Sequence, residues 1–408
     1  MKEKILISIL GKGQYQKENQ KYNYSLTSYK IEDKIIQSKL VGDALRRLYN
    51  PDKIFIVGTV ESLWNLADEY IKDYEKVIIP FGKNSEEFWK IFEVLTSLDV
   101  DNSEIYFDIT HGFRSLPLFI STILQFFKNF KNAEVKGVYY GIFEAKEENI
   151  TPIVNMLPFI ELNQWIESAN IFKKYGDGRE IAQLISKKIR EHKGDEEYHP
   201  ISSLANKFDI YTKSVGFAAA DIYLETIKEI EEKLEKVENV PNDIKSFSFI
   251  IDELKKETKN FDFNLPKWQL YLILSDVLFH KNRYAQALTI LRETLHYYII
   301  EELNLLEQGY KIRDIDSSIG YILKYQQHFF KKEFIKLVEQ IKDLRNLANH
   351  AFIGEKGGKK SLKKSIEHLQ NYINQANKVL QEAPIIDKSN FKLFLLNELE
   401  KKKRKYHK

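Results

Sequence analysis

Hydrophobic and polar positions follow two different periodicities along the first 150 residues. Short apolar runs predict five strands, at 4–10, 53–57, 76–79, 104–109 and 135–142. Apolar residues at three- and four-residue spacing predict four helices between them, at 35–48, 63–70, 85–98 and 115–130. Residues 22–31 alternate weakly and predict a hairpin arm. Strands that alternate with helices of about ten or more residues indicate a doubly wound parallel sheet.

The remainder of the chain shows helical periodicity only. Residues 151–175 form a connection with Pro152, Pro158 and a helix at 159–173. After it, helices are predicted at 179–192, 201–237, 243–258, 266–280, 283–306, 316–328, 331–351, 361–382 and 390–404. The fold class is therefore α/β followed by all-α. We predict an N-terminal domain at 1–158, a helical linker at 159–200 and a helical domain at 201–408.

Composition and charge exclude several classes of protein. Hydrophobic residues make up 43% of the 408 and charged residues 30%, as in ordinary globular proteins. The 62 basic and 59 acidic residues nearly cancel, so any contact with nucleic acid must come from local patches. Without cysteine the chain has neither disulfides nor thiolate metal sites, and it lacks an apolar run of the roughly 20 residues that span a membrane. The first residues enter a strand at once, so we expect no signal peptide, no membrane partner and a cytoplasmic protein.

Glycines and potential anion ligands follow three of the predicted strands. They are Gly11, Lys12, Gly13 and Gln14 after the first, Gly58 and Thr59 after the second, and Thr110, His111, Gly112 and Arg114 after the fourth. Ligands of such sheets bind beyond the carboxyl ends of the strands, where backbone N–H groups approach an anion closely. We therefore expect a ligand that carries phosphate. A dinucleotide is excluded because Gln16 replaces the third glycine of the fingerprint and no acidic residue ends the second strand.

A second group of polar residues lies near the C-terminus, in Lys342–Phe352. This segment predicts a helix on which Arg345 and Asn349 share one face, and Asn346 and His350 share another. The four side chains can converge on one ligand. Arginine can hold the charge of a phosphodiester while histidine moves a proton, which suits cleavage of that bond.

Both groups resemble one protein family. The spacing from Arg345 to His350 matches the R-x(4–6)-H motif of HEPN ribonucleases, and residues 108–114 with the Gly-rich loops resemble CARF domains. Together they resemble the CARF–HEPN accessory ribonucleases of type III CRISPR systems. The resemblance implies a Rossmann-like CARF sensor followed by a helical HEPN nuclease. It also implies that Gly11–Gln14, Gly58, Thr59, Thr110–Gly112 and Arg114 bind a cyclic oligoadenylate activator, of which the tetra-adenylate is expected.

In that family the substrate is single-stranded RNA, cut without metal to a 2′,3′-cyclic phosphate, and the catalytic residues implied here are Arg345, Asn346, Asn349 and His350. The family places two motifs face to face, so a homodimer is expected, with a higher assembly left open. No metal or other cofactor is expected. Two alternatives remain: a nucleotide-sensing regulator without nuclease activity, and a sensor that also degrades its own activator. Basic segments at 355–364 and 401–408 are candidates for holding the RNA backbone.

Overall fold

The fold contains two compact units, residues 1–163 and 164–408, each with its own core. A computed structural model describes residues 2–16, 21–112, 116–235, 237, 244–245, 247–350, 352 and 359–406. An α/β unit is followed by an all-helical one, which confirms the predicted fold class. In the part of the chain that is described, none of the helices combines the length and the apolar character needed to cross a bilayer.

Among its described residues, the first unit has ten strands and four helices, and a fifth helix begins in it. The strands are β1 Lys4–Leu10, β2 Gln14–Gln16, β3 Lys21–Asn23, β4 Thr27–Ile31, β5 Lys34–Ser38, β6 Lys53–Gly58, β7 Glu75–Ile78, β8 Glu104–Asp108, β9 Glu134–Gly141 and β10 Ile150–Asn155. The helices are α1 Val41–Tyr49, α2 Trp64–Tyr70, α3 Ser85–Thr96, α4 Leu116–Phe130 and α5 Leu157–Tyr175.

Eight of these strands form one sheet in the order β5-β4-β10-β9-β8-β1-β6-β7. Strands β9, β8, β1, β6 and β7 run parallel, whereas β10 is antiparallel to β9 and β5 is antiparallel to β4. The sheet is therefore mixed at one side and parallel elsewhere. Strand β1 is buried along almost its whole length, because helices cover both faces of the parallel part.

Two predictions for the first unit need correction. Residues 35–40, predicted as the start of a helix, instead contain β5, which pairs with β4 through a turn where Glu32 has a φ of 53°. Residues 151–155, predicted as part of a connection, instead belong to the strand β10. It contains Pro152, which removes a backbone donor and weakens any strand prediction.

Ten helices make up the second unit, together with most of α5. They are α6 Arg179–Glu191, α7 His199–Phe217, α8 Ala220–Leu234, α9 Phe247–Thr258, α10 Lys267–His280, α11 Tyr284–Glu302, α12 Ile312–Tyr325, α13 Lys332–Asn349, α14 Lys359–Gln381 and α15 Lys388–Tyr406. The helical segment predicted at 201–237, with an interruption near Asp209, is two helices, and the break lies instead where Ala218 adopts a φ of 51°.

The two-unit division falls inside α5, after Asn163. Trp165 and Phe172 of α5 and Ile181 of α6 are buried in the same core as the later helices. The helices predicted as a linker therefore contribute to the core of the second unit. The predicted limits at 158 and 200 stay predictions.

Candidate functional site

The parallel strands β8, β1 and β6 form the centre of the first candidate site. From β1 the chain continues to β6 on one side, and it later reaches β8 on the other side. The carboxyl ends of β1 and β8 therefore form the topological switch point of the sheet, the usual place for a ligand in this class of fold.

The loops after β1 and β8 touch each other at this point. A Cβ atom built on Gly11 would lie 2.6 Å from the backbone oxygen of His111 and 3.0 Å from the hydroxyl of Tyr24. No larger residue fits there without a shift of the backbone. Gly13 has a φ of +70°, which favours glycine and turns the chain into β2. The two glycines therefore allow a close approach that any side chain would prevent.

The loop after β6 joins the same end of the sheet. Ser62 Oγ donates to the backbone oxygen of Leu10 at 2.6 Å and accepts from the Thr59 N–H at 3.0 Å. The Leu63 N–H donates to the Gly11 oxygen at 3.1 Å. Gly58 and Thr59 are buried within this framework, so they position the neighbouring loop and present little surface of their own.

A buried carboxylate supports the start of the third loop. Asp108 accepts from Ser8 Oγ at 2.6 Å and from the Thr110 N–H at 2.9 Å. Burial raises the pKa of Asp108, and these two hydrogen bonds act in the opposite direction. Thr110 Oγ1 in turn accepts from the Gly141 N–H at 3.0 Å. The Thr110–Gly112 segment is thus anchored to three strands.

His111 is the most unusual side chain of this site. Its ring lies between Tyr24 and Phe143, with centroids 4.2 and 5.8 Å away. Burial lowers the pKa of His111 to about 4, so the ring is neutral at pH 7. Among the residues that the structure describes, none forms a hydrogen bond with its buried Nε2. A buried polar atom without a partner requires an explanation, and a ligand contact is one.

The remaining predicted ligand residues lie at the periphery. Lys12 is exposed and pairs with Glu61, and Gln14 is exposed at the start of β2. Arg114 lies outside the described residues. Sequence patterns missed Tyr24, Ser8 and Phe143, which hold His111 and Asp108. Their only signal is position in the fold, because none belongs to a recognisable motif.

The second candidate site lies at the end of α13. This helix ends at Asn349, two residues before its predicted end, and the His350 N–H donates to the backbone oxygen of Asn346 at 3.0 Å. Arg345 is half-buried, whereas Asn346, Asn349 and His350 are exposed. Three of the four polar residues can therefore meet a polymer at the surface. Of the basic segment at 355–364, residues 355–358 lie outside the described residues, and residues 359–364 belong to the start of α14.

Comparisons with known proteins agree on one family. The model for the CARF domain of the CRISPR system endoribonuclease Csx1 matches residues 5–147, and the model for the second domain of CRISPR-associated protein MJ1674 matches residues 161–265. MJ1674 of Methanocaldococcus jannaschii is 26% identical over 441 residues, which cover 92% of this chain. The chain spans 66% of the length of that relative.

Among solved structures, Enterococcus italicus Csm6 bound to cyclic hexa-2′-fluoro-hexa-dAMP is similar to the whole chain. It is 14% identical with a TM-score of 0.44, and the match covers 98% of this chain and 100% of that one. The family models and the relative carry the assignment. The N-terminal unit is a CARF domain, and the chain is similar to CRISPR-associated protein MJ1674 along most of its length.

Proposed function

We propose that this protein is an endoribonuclease that a cyclic oligoadenylate activates during CRISPR defence. The observation that carries the proposal is the His111 site at the switch point of a CARF domain, with an unpaired buried nitrogen and tightly packed glycines. The ring of adenylates would bind there, and the helical unit, which we assign to the HEPN class, would cut single-stranded RNA.

Several features of the first site suit a cyclic nucleotide. The loops contain glycines and follow the carboxyl ends of parallel strands, where ligands that carry phosphate commonly bind. Neutral His111 can donate or accept one hydrogen bond, and Tyr24 beside it offers an aromatic face for an adenine. We expect the activator to be cyclic tetra-adenylate, with Lys12 and Gln14 adding polar contacts from the rim. Arg114 is a further proposed ligand residue.

In the proposed reaction the RNA supplies its own nucleophile. The 2′-oxygen attacks the adjacent phosphorus and loses its proton, while the bond from phosphorus to the 5′-oxygen breaks and that oxygen gains a proton. The products are a 2′,3′-cyclic phosphate and a 5′-hydroxyl. His350 would transfer one of these protons, Arg345 would stabilise the charge on phosphorus, and Asn346 and Asn349 would orient the phosphate.

One copy of the motif offers a single histidine for two proton transfers. We therefore propose a homodimer in which two copies of α13 bring two motifs to one RNA strand. The exposure of Asn346, Asn349 and His350 supports this arrangement, because a composite site needs its residues at the surface of each protomer.

The proposal is tested by cleavage of a fluorescent single-stranded RNA in EDTA, with and without each cyclic oligoadenylate. We expect cleavage with one ring only. His350→Ala should reduce the rate by roughly 10²- to 10⁴-fold, which is the usual contribution of acid–base catalysis. His199→Ala is the matched control, because His199 is an exposed histidine at the start of α7 and should leave the rate unchanged.

Other outcomes separate the alternatives. Tight ring binding without cleavage would contradict the nuclease and favour a regulator. Consumption of the ring in the same reaction, measured by chromatography, would reveal a sensor that degrades its own activator. Cleavage that stops in EDTA and returns with Mg²⁺ would contradict the metal-independent reaction.

A further inference from the structure

A cavity of about 290 Å³ lies beside Arg345 in the second unit. Residues from α11, α12 and α13 and from the segment after α12 line it: Arg292, Leu295, His296, Gly320, Leu323, Lys324, Gln327, Val338, Glu339, Ile341, Lys342 and Arg345. Its size is at the lower end of the range for small-molecule sites. It can accept one nucleotide, and a duplex is far too large for it.

A buried histidine in this cavity is held in one orientation. His296 is 5% exposed, and its Nδ1 lies 2.5 Å from Asp316 Oδ1. Arg292 Nη1 lies 3.3 Å from the same oxygen. Although burial raises the pKa of Asp316, contacts with His296 and Arg292 lower it to about 2, so this side chain is ionised. The Nδ1 edge of the ring therefore faces the carboxylate, and Asp316 fixes the orientation of His296 in the cavity wall.

The neighbouring polar groups add acceptors. Gln327 Nε2 donates to Glu339 Oε1 at 3.0 Å and to the Leu323 oxygen at 3.3 Å. The two contacts hold the Gln327 amide against the Glu339 carboxylate, whose oxygens are hydrogen-bond acceptors. Lys342 and Arg345 follow Glu339 at three-residue intervals on α13 and add two cations to the cavity lining.

We propose that this cavity binds one unstacked nucleotide of the RNA, with its phosphate toward Arg345 and Lys342. Apolar side chains such as Leu295, Leu323 and Val338 contact the base, and the acceptor oxygens of Glu339 favour a base that carries an amino group. Adenine, cytosine and guanine have such a group and uracil does not. The inference rests on the proposed nuclease function and adds a base preference to it.

Gly320 offers a way to fill the cavity without disturbing the fold. A Cβ built on it would have His296 Cε1 as its nearest neighbour, 4.0 Å away, so Gly320→Met extends a side chain into the open space. Gly320 lies inside α12, where replacing glycine favours the helix. Gly216→Met in α7 is the matched control, because a Cβ there meets nothing within 4 Å.

The first readout is binding of the four ribonucleoside 3′-monophosphates to the full chain, measured by calorimetry with and without cyclic tetra-adenylate. We expect the nucleotides of adenine, cytosine and guanine to bind roughly tenfold more tightly than that of uracil. Gly320→Met should abolish binding and Gly216→Met should not. Glu339→Ala, at an exposed position, should reduce the preference against uracil.

The second readout is the base found next to each cut, determined by sequencing the products of a mixed RNA. If wild type and Gly320→Met both cut equally beside all four bases, the proposed nucleotide pocket would be rejected and the proposed nuclease activity would be supported. Selective nucleotide binding that Gly320→Met abolishes, in a protein that never cuts RNA, would support the pocket and reject the nuclease. Nucleotide binding that survives Gly320→Met would place the nucleotide elsewhere and reject the inference.

Discussion

His111 illustrates how the fold changes the chemistry of a single side chain. In water an imidazole takes up a proton near pH 6.5, whereas between Tyr24 and Phe143 its pKa falls to about 4. A neutral ring can hydrogen-bond an adenylate through Nε2 without repelling or attracting charge. The cost of this arrangement appears in the stability of the domain at low pH.

We predict that the N-terminal unit loses stability between pH 6.5 and pH 4 because of this residue. In that range the unfolded chain binds a proton at His111 and the folded chain does not. The free energy of unfolding therefore falls as pH decreases. The loss is at most about 3 kcal/mol, at 1.36 kcal/mol for each unit of pKa. Hydrogen exchange of peptides from β1 and β8, followed from pH 7 to pH 4.5, measures it.

His111→Gln serves as the comparison, since glutamine does not titrate. Asp108 titrates in both proteins with a pKa shifted in the opposite direction, so the difference between them isolates His111. The free energy of unfolding of the variant should depend less on pH than that of the wild type. Identical profiles for the two proteins would mean that His111 is protonated in the folded domain.

The ligand site could be predicted only where residues follow strand ends. Gly11, Thr110 and His111 occupy positions that any parallel sheet brings together, so a motif and a strand prediction were sufficient. The contact of Tyr24 with His111 could not be predicted, because Tyr24 lies between two short hairpins whose pairing depends on the rest of the sheet. The same limit applies to His296, which looks like an ordinary core residue until α12 places Asp316 beside it.

Helices and strands were predictable where periodicity was long and unbroken. Nine of the eleven described helices from α5 to α15 each match one predicted helix to within four residues at either end, and the other two, α7 and α8, correspond to the prediction at 201–237. The break between α7 and α8 depends on Ala218, which carries no signal for a left-handed conformation. The prediction failed for the short segment that contains β5. Its two adjacent isoleucines fit a strand or a helix equally well, and pairing with β4 decides between the two.

A buried polar network joins three helices of the second unit. Glu257 accepts from the hydroxyls of Tyr211 and Tyr223, and it pairs with Lys281 Nζ at 2.8 Å. Both charged side chains are 8% exposed. Each charge therefore compensates the desolvation of the other, and loss of one partner leaves an isolated charge in the core.

We predict that Lys281→Met destabilises the helical unit by about 3 kcal/mol. Lys213→Met is the control, because Lys213 pairs with Asp209 on the surface of α7 and should change stability by less than about 0.5 kcal/mol. Urea unfolding followed by the fluorescence of buried Trp165 and Trp268 reports on this unit. If the two substitutions lowered the free energy of unfolding by similar amounts, the buried pair would contribute no more to stability than the surface pair.

At the scale of the whole molecule, the proposed composite nuclease site predicts how mixed dimers behave. Wild type co-expressed with an equal amount of His350→Ala should retain about a quarter of its activity, because only dimers with two intact motifs would cut. If each protomer cut RNA with its own independent site, the mixture would retain about half of the activity. RNA cleavage with saturating activator distinguishes the two, and co-expression with His199→Ala gives the reference for full activity.

The switch point between β1 and β8 also has a consequence for how this protein is made. The residues that meet there are Gly11 and His111, which are separated by a hundred positions, so the site does not exist until β8 has joined the sheet. Parallel pairing over such distances is intrinsically slow, because the entropy of closing a long loop is lost before any contact forms. A chain still emerging from the ribosome could therefore not bind the proposed activator. Under the proposed function, bound activator would oppose opening of the closed sheet and lengthen the lifetime of the folded domain.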